Sequence, residues 1–402
     1  MRPINLLIIC LSATLLQSCF AIRAYRFTRF KLSDYDKMAY KEINNQVPAF
    51  LYIRAVDNTT YQLLKEQLDT SLSNTLTAAF LVIRHDSIVY ENYFDEYNER
   101  SLLPSFSMAK SYVSTLIGIA LEEGSISSLQ DPITKYIPVL LKKDKRFAKI
   151  TLQHLLDMRS GLHFNEGSYG LKDDAIRLGF RPNIRKYAMK VGIEKDPGGL
   201  FNYQSVNTLF LAMALQKATG KTPSQYLEEK LWKPLGCESR AAWNTDNHGL
   251  EIGYAGINST ARDYAKLGSL YLHNGTLNGK QILSVQWIER SVGGDSMFAY
   301  GGYHNQWWGV RSLQEFSDSL QADDFRQKTG KTGKVVSYIN PSRENRYFIS
   351  TNHPAFHAQG LLGQFIYVFP EKDLVIVRLG RFWKHPVFHN PKGFITTLAN
   401  GL

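Results

Sequence analysis

A serine and a lysine three positions apart are the residues of this chain best suited to acyl-transfer chemistry. Ser107-Met108-Ala109-Lys110 stands just after Pro104, where the apolar residues take up helical spacing. Residues three apart share one face of a helix, so the amine can reach the hydroxyl, and unpaired N–H groups of the first turn can stabilise an oxyanion. We predict Ser107 as a nucleophile activated by Lys110. The alternative is a helix-capping serine beside a solvated lysine.

A serine-lysine pair usually needs a third group to move protons, and tyrosine is a common choice. Tyr203 lies in a glycine- and proline-containing loop, 196–205, directly before a strongly apolar segment. A side chain at that position can project into a cleft. The alternative is an ordinary packing tyrosine.

Other catalytic arrangements have little support in this sequence. Gly-x-Ser-x-Gly does not occur, which argues against the nucleophile elbow of α/β-hydrolases. Two histidine pairs have a spacing of four, but a proline follows the first histidine of each pair and disfavours a helical metal site. We therefore expect neither a metal nor a cofactor. The pairs are His353 with His357 and His385 with His389.

The pattern of apolar residues predicts strands near both ends of the chain and helices between them. Alternating β-rich runs at 78–84 and 87–93 predict a hairpin, and further strands are expected at 347–350, 364–369 and 374–379. This order favours an α+β fold, in which one antiparallel sheet formed by N- and C-terminal strands is flanked by helices, with a helical middle subdomain at about 125–295. Predicted helices begin at Lys110 and cover 152–158, 206–218, 224–231 and 261–273, the last with Thr260 and Asp263 as a capping box.

The N-terminus has the pattern of an export signal. An apolar run too short to span a bilayer leads to Leu16-Gln17-Ser18-Cys19, which is similar to the lipobox of bacterial lipoproteins. We predict a signal peptide at 1–18, a lipidated Cys19, a spacer and entry segment at 19–70 and a hydrolase domain at 71–402. The expected location is the bacterial cell envelope, with the membrane contacted through the lipid anchor. The alternatives are an ordinary, unlipidated signal and a short buried segment.

The cysteine content argues against a disulfide within the chain, and the charge pattern argues against nucleic-acid binding. Cys10 would leave with the signal and Cys19 would be acylated, so Cys237 remains alone, and we expect it to be a buried structural thiol. The net charge is +11, from 47 basic and 36 acidic residues, but no nucleic-acid-binding motif accompanies it. We expect a small-molecule or peptide substrate and no nucleic-acid partner.

Several motifs in order along the chain resemble the serine β-lactamase-related superfamily, and most of all its 6-aminohexanoate-dimer hydrolase-like branch. Ser107 to Lys110 matches the first motif of that superfamily. The resemblance implies a β-lactamase/transpeptidase-like fold and gives Tyr203 the role of the proton-shuttling tyrosine. The other matching runs are 151–161, 201–205, 232–236, 260–268 and 306–308.

Two departures from the family pattern bear on the substrate. The Tyr-x-Asn motif is here Tyr203-Gln204-Ser205, which makes β-lactam hydrolysis less expected. The Lys-Thr-Gly motif has two candidates, a literal match at 328–330 and the segment 357–364 before the terminal hairpin. We favour the second, which leads directly into the strand-turn-strand that ends the domain.

On that choice the resemblance implies that the backbone N–H groups of Ser107 and Leu361 form the oxyanion hole. Ala358 then takes the place of the motif's lysine, and the candidates for substrate binding are Ser205, His357, Ala358 and Gly360. The predicted function is a serine hydrolase that cleaves an amide or ester through an acyl-enzyme. The alternative is a non-catalytic or weakly catalytic, penicillin-binding-like sensor lipoprotein.

The lipobox predicts covalent lipidation of Cys19. Cells grown with a clickable palmitate analogue should label the wild-type protein, and Cys19→Ala should lose that label because the thiol is the acylated group. Gel fluorescence after capture of the protein measures the label. Cys237→Ala is the matched control and should label normally. Equal labelling of Cys19→Ala and wild type would contradict the prediction.

Overall fold

The computed structural model describes residues 32–55, 59–167, 173–293, 302–316, 318–329, 335–339, 345–385 and 390–402. The predicted signal peptide and Cys19 lie outside these residues. Within them, no helix is both long enough and apolar enough to cross a membrane.

The main sheet joins strands from the two ends of the chain, as the sequence predicted. In the described residues its order is β12-β13-β15-β16-β17-β3-β4-β2, with β14 also paired to β15, and every pairing is antiparallel except β2 with β4. The strands are β1 Tyr40–Ile43, β2 Ile53–Arg54, β3 Thr77–Arg84, β4 Ser87–Tyr93, β5 Leu103–Pro104, β6 Leu162–His163, β7 Gly192–Ile193, β8 Ala241–Asn244, β9 Ile257–Ser259, β10 Thr276–Leu277, β11 Lys280–Gln281, β12 Tyr303–His304, β13 Trp307–Phe316, β14 Val335–Ile339, β15 Asn345–Gly360, β16 Gln364–Phe369 and β17 Leu374–Gly380.

Helices cover both faces of this sheet, and most of them come from the middle of the chain. The confirmed architecture is therefore α+β, with an antiparallel sheet and a helical middle. The α-helices are α1 Thr59–Leu72, α2 Ala109–Glu122, α3 Ile133–Tyr136, α4 Val139–Lys143, α5 Leu152–Leu156, α6 Asp174–Gly179, α7 Ile184–Ala188, α8 Ser205–Thr219, α9 Pro223–Leu227, α10 Ala261–Leu272, α11 Val285–Val292, α12 Ser319–Thr329 and α13 Pro391–Gly401.

Two apolar cores lie on opposite faces of the sheet. Alternate residues of a strand point to opposite faces, and all residues of β16 and β17 are buried, so these central strands contribute to both cores. One core contains α2, α8 and α10, and the smaller one contains residues of α1 and α13. Helix α2 is buried at every residue from Ala109 to Ala120. The predicted nucleophile therefore precedes a helix that runs through the centre of the larger core.

Strand β15 is much longer than the predicted strand at 347–350. Pro354 argues against a continuous strand because proline cannot donate to a ladder. The structure accommodates it at an irregularity: the β13–β15 register shifts between Gly309 and Arg311, and the pairing with β16 begins only at Phe356. Pro354 therefore lies in a stretch of β15 where its nitrogen does not have to donate a hydrogen bond to a neighbouring strand.

Two local predictions differ from the structure in detail. Thr260 caps α10 by accepting from the Asp263 N–H, but the Asp263 carboxylate accepts from the N–H groups of Glu238 and Ser239. Thr260 therefore caps the helix, while the Asp263 side chain connects the start of the helix to the loop at 238–239. In the segment predicted as a spacer, β1 pairs with β8 and β2 pairs with β4.

Arg378 on β17 holds the turn that follows β15. Its side chain is fully buried, and burial lowers the pKa of the guanidinium to about 9. One terminal nitrogen donates to the carbonyls of Leu362 and Gly363 at 3.2 and 2.6 Å. The remaining donors bind Thr77 Oγ1 and the carbonyls of Thr75, Arg381 and Phe382.

Replacing Arg378 with Met should lower the free energy of unfolding by about 2–4 kcal/mol, because buried carbonyls lose a charged donor. Urea unfolding followed by tryptophan fluorescence measures the change. Lys65→Met, on an exposed part of α1, is the control and should stay within about 0.5 kcal/mol of wild type. A loss for Arg378→Met no larger than that of the control would contradict this role.

Candidate active site

Ser107 lies in a tight turn between β5 and α2. Phe106 has a positive φ of 43°, an uncommon conformation for a side chain of this size, and residues Phe106–Met108 form a 3-10 turn that runs into the helix. Ser107 is partly exposed, whereas Ser105 and Met108 on either side are buried. The turn therefore presents the hydroxyl at the surface of the core and places its N–H in the first helical turn.

Lys110 is buried, with 1% of its surface exposed, and its amine contacts the predicted nucleophile. The Nζ donates to Ser107 Oγ at 3.0 Å, to Ser205 Oγ at 3.0 Å and to the carbonyl of Tyr254 at 3.2 Å. It also lies 4.9 Å from the ring centroid of Tyr203 and 5.6 Å from that of Tyr254. The structure thus brings Ser107, Lys110, Tyr203 and Ser205 together.

Burial changes the acidity of this amine. Desolvation disfavours the ammonium and lowers the pKa of Lys110 to about 8 from an ordinary 10.5, while the carboxylate of Glu166 acts in the opposite direction. An amine with this pKa is partly neutral near pH 8 and can accept a proton from a hydroxyl 3.0 Å away. A solvated lysine would remain almost entirely charged there.

Aromatic rings form one wall of the cleft beside the amine. Tyr203 stacks on Trp308 with a centroid distance of 5.7 Å, and Tyr303 lies edge-on to both. Phe201, at the rim, lies 5.2 Å from Tyr303 and is 37% exposed, and Leu200 next to it is 82% exposed. Tyr203 is thus part of an apolar wall and also touches the Lys110 amine.

Of the two candidates for the Lys-Thr-Gly motif, the one at 358–360 lies beside the turn at Phe106–Met108, which we call the nucleophile turn. Gly360 ends β15, and a Cβ at this position would come within 2.2 Å of the Ser105 carbonyl oxygen, so only glycine allows the approach. Leu361 follows directly. Ala358 is buried in the larger core. In the literal match at 328–330, Lys328 lies at the end of α12 and pairs with Asp324 at 2.9 Å, and Gly330 lies outside the described residues.

His357 faces away from Ala358, as neighbouring residues of a strand must. Its ring is 3% exposed and stacks on Tyr367 with a centroid distance of 4.4 Å, among residues of the smaller core. Trp308 pairs with His357 across β13 and β15, and Lys392 at the start of α13 places its Nζ 5.8 Å from the Trp308 ring. His357 is therefore a packed residue behind the cleft wall.

Two further residues of the site, Glu166 and Tyr254, were not among the predicted site residues. Glu166 accepts hydrogen bonds from both the N–H and the hydroxyl of Ser205, the latter at 2.7 Å. Glu166 belongs to a loop that contains no recognisable motif, and Tyr254 contributes through its main-chain carbonyl, to which residue type gives no clue. Both were detectable only from the fold.

No cluster of three or more metal-ligating side chains occurs in the described residues. The thiol of Cys237 is buried, and burial raises the pKa of that thiol well above its usual range.

The chain matches the model of a known protein family. The Beta-lactamase family model matches residues 64–388, which is most of the chain. The chain therefore belongs to the beta-lactamase family of serine hydrolases.

Two relatives carry the same description. A 6-aminohexanoate-dimer hydrolase of Paenarthrobacter ureafaciens is 29% identical over 264 residues, covering 60% of this chain and 66% of that protein. A solved structure from Bacillus anthracis, assigned as a 6-aminohexanoate-dimer hydrolase, is 26% identical with a TM-score of 0.67 and covers 90% of this chain and 91% of that one. The D-alanine carboxypeptidase AmpC of Burkholderia cenocepacia shares the fold, with a TM-score of 0.52 at 16% identity over 84% of this chain and 97% of that one.

The acidity of Lys110 predicts how the reactivity of Ser107 depends on pH. A lysine accepts a proton only above its pKa, so the rate of Ser107 phosphonylation by a fluorophosphonate should rise with pH through a midpoint near 8. Stopped-time labelling between pH 6 and 10.5, read by gel fluorescence, measures this profile. A midpoint near 10.5, or a rate independent of pH, would contradict the assignment of Lys110 as the base.

Proposed function

We propose that this protein is a serine hydrolase that cleaves an amide or ester bond through an acyl-enzyme on Ser107. The observation that carries the proposal is the buried Lys110 amine, which donates to Ser107 Oγ at 3.0 Å and has a pKa lowered to about 8. Maintaining a desolvated amine beside a hydroxyl is costly, and this arrangement can activate the hydroxyl as a nucleophile. A protein that binds its ligand without a covalent step has no need of it, whereas a penicillin-binding-like sensor that forms a slow acyl-enzyme would share it.

In the proposed reaction, Ser107 Oγ attacks the substrate carbonyl while its proton passes to Lys110. An Oγ–C bond forms and the carbonyl electron pair moves onto oxygen, where the N–H groups of Ser107 and Leu361 would stabilise it. The proton then reaches the leaving amine or alcohol, with Tyr203 as the shuttle, and the bond to that group breaks. Water releases the acyl group by the same steps in reverse order. Each oxyanion donor contributes roughly 3 kcal/mol to lowering the barrier.

The cleft wall indicates the kind of substrate. Phe201, Tyr203 and Trp308, which pack on the buried ring of Tyr303, offer aromatic surface near the Lys110 amine, which suits an apolar chain on the substrate. A linear amide with a methylene chain, such as the dimer named for the relatives, has this character. Because Ser205 and Ala358 replace the amide and the cation of the family pattern, we propose amide or ester hydrolysis without β-lactam specificity.

We further propose that the reaction takes place in the bacterial cell envelope. The proposal rests on the lipobox-like sequence ending in Cys19. A lipid at that residue would tether the hydrolase to a membrane.

Loss of covalent labelling on substitution of the nucleophile tests the mechanism. Wild-type protein should bind one equivalent of a fluorophosphonate, and Ser107→Ala should bind none, as measured by intact mass. Hydrolysis of a p-nitrophenyl ester should fall by at least roughly 10³-fold in the same variant. Ser114→Ala, a buried serine on the helix that follows Ser107, is the control and should label fully. Equal labelling of the two variants, or none in wild type, would overturn the proposal.

A further inference from the structure

The Lys110 amine is linked to a carboxylate through one intervening hydroxyl. Lys110 Nζ donates to Ser205 Oγ at 3.0 Å, and Ser205 Oγ donates its own hydrogen to Glu166 Oε1 at 2.7 Å. The other carboxylate oxygen accepts the Ser205 N–H. Together with the contact to Ser107, this gives a continuous sequence of nucleophile, amine, hydroxyl and carboxylate.

The loop that carries Glu166 is fixed on both sides. The N–H groups of Asn165 and Gly167 donate to the carboxylates of Asp174 and Asp173, at 2.9 and 2.8 Å. The Gln204 side chain, one residue before Ser205, donates to the carbonyls of Leu162 and Phe164, each at 2.9 Å. These bonds connect the Glu166 loop to the start of α8, so the carboxylate is held at Ser205 by its surroundings.

The type of residue at position 205 matters for this arrangement. A hydroxyl accepts from the amine on one side and donates to the carboxylate on the other. The asparagine of the family pattern would be larger and would present an amide in place of a hydroxyl. Ser205 is 3% exposed, so the link is shielded from water.

We propose that Glu166 is a positioning residue for the hydrolase reaction, stabilising through Ser205 the ammonium that Lys110 becomes when Ser107 gives up its proton. This inference rests on the proposed function. The proton stays on Lys110 until Tyr203 relays it to the leaving group, and Glu166 takes up no proton in this step. Its negative charge offsets part of the desolvation of the ammonium at the step where that charge forms.

Few other charges compete for this role. Besides Glu166, the groups that face the amine are the Ser107 and Ser205 hydroxyls, the Tyr254 carbonyl and the rings of Tyr203 and Tyr254. Of the carboxylates in the described part of the chain, Glu166 is the one whose charge acts on Lys110. Removing that charge leaves the amine with neutral neighbours.

Glu166→Gln tests the inference because it keeps the shape and an acceptor but removes the charge. Without the carboxylate the ammonium is less favoured, so the midpoint of the pH–rate profile should move to lower pH than in wild type. The kcat for a p-nitrophenyl ester on the high-pH plateau should fall roughly 10- to 100-fold, with KM changed less than about twofold. Glu166→Asp keeps the charge, so the midpoint of its pH–rate profile should lie closer to the wild-type value than that of Glu166→Gln.

Glu194→Gln is the matched control, since it removes an exposed carboxylate next to β7 and should leave both midpoint and kcat unchanged. Thermal unfolding of each variant identifies any loss of folding. A Glu166→Gln profile that coincides with wild type, in a folded and active enzyme, would overturn the role of Glu166. Absence of Ser107-dependent hydrolysis in wild type would instead overturn the proposed function itself.

Discussion

The desolvation of one amine is the constraint on which the rest of the site depends. Lys110 lies on a helix that is buried at every residue of its first three turns, so water cannot solvate its charge. The protein compensates with three acceptors and two aromatic faces around Nζ, and with one carboxylate at the far side of Ser205. Because this compensation is partial, the pKa of Lys110 falls to about 8.

The architecture explains how such an amine is kept in place. Helix α2 passes through the larger core, with α8 and the sheet on either side, so the lysine cannot swing into water. The nucleophile turn at its start is compressed between β5 and the end of β15, where Gly360 allows the strand to approach Ser105. Arg378 stabilises the turn after Gly360 by donating hydrogen bonds to the carbonyls of Leu362 and Gly363. The N–H groups of Ser107 and Leu361 and the amine of Lys110 are therefore parts of one packed unit.

The fold class and the main site were predictable because they depend on short-range patterns. The hairpin at 77–93, the last two strands and the helix after Ser107 follow from residue alternation and helical spacing. Strand β15 was underestimated because Pro354 interrupts the pattern, although its neighbours in the sheet restore the strand. Glu166 was missed because its role depends on a loop fixed by tertiary bonds to Asp173, Asp174 and Gln204. No local sequence signal encodes such a contact.

The departures from the family pattern bear on the charge of the cleft. Ala358 stands where the family pattern has a cation, and Ser205, which stands where it has an amide, contacts the Glu166 carboxylate. A different lysine, Lys392, has its Nζ 5.8 Å from the centre of the Trp308 ring. Under the proposed function, a carboxylate next to the nucleophile, as in a β-lactam, would lack the cation of the family pattern as a partner, whereas a neutral amide or ester needs none. The aromatic wall and the missing cation are the two features that lead us to propose a neutral, apolar group at the reacting end of the substrate.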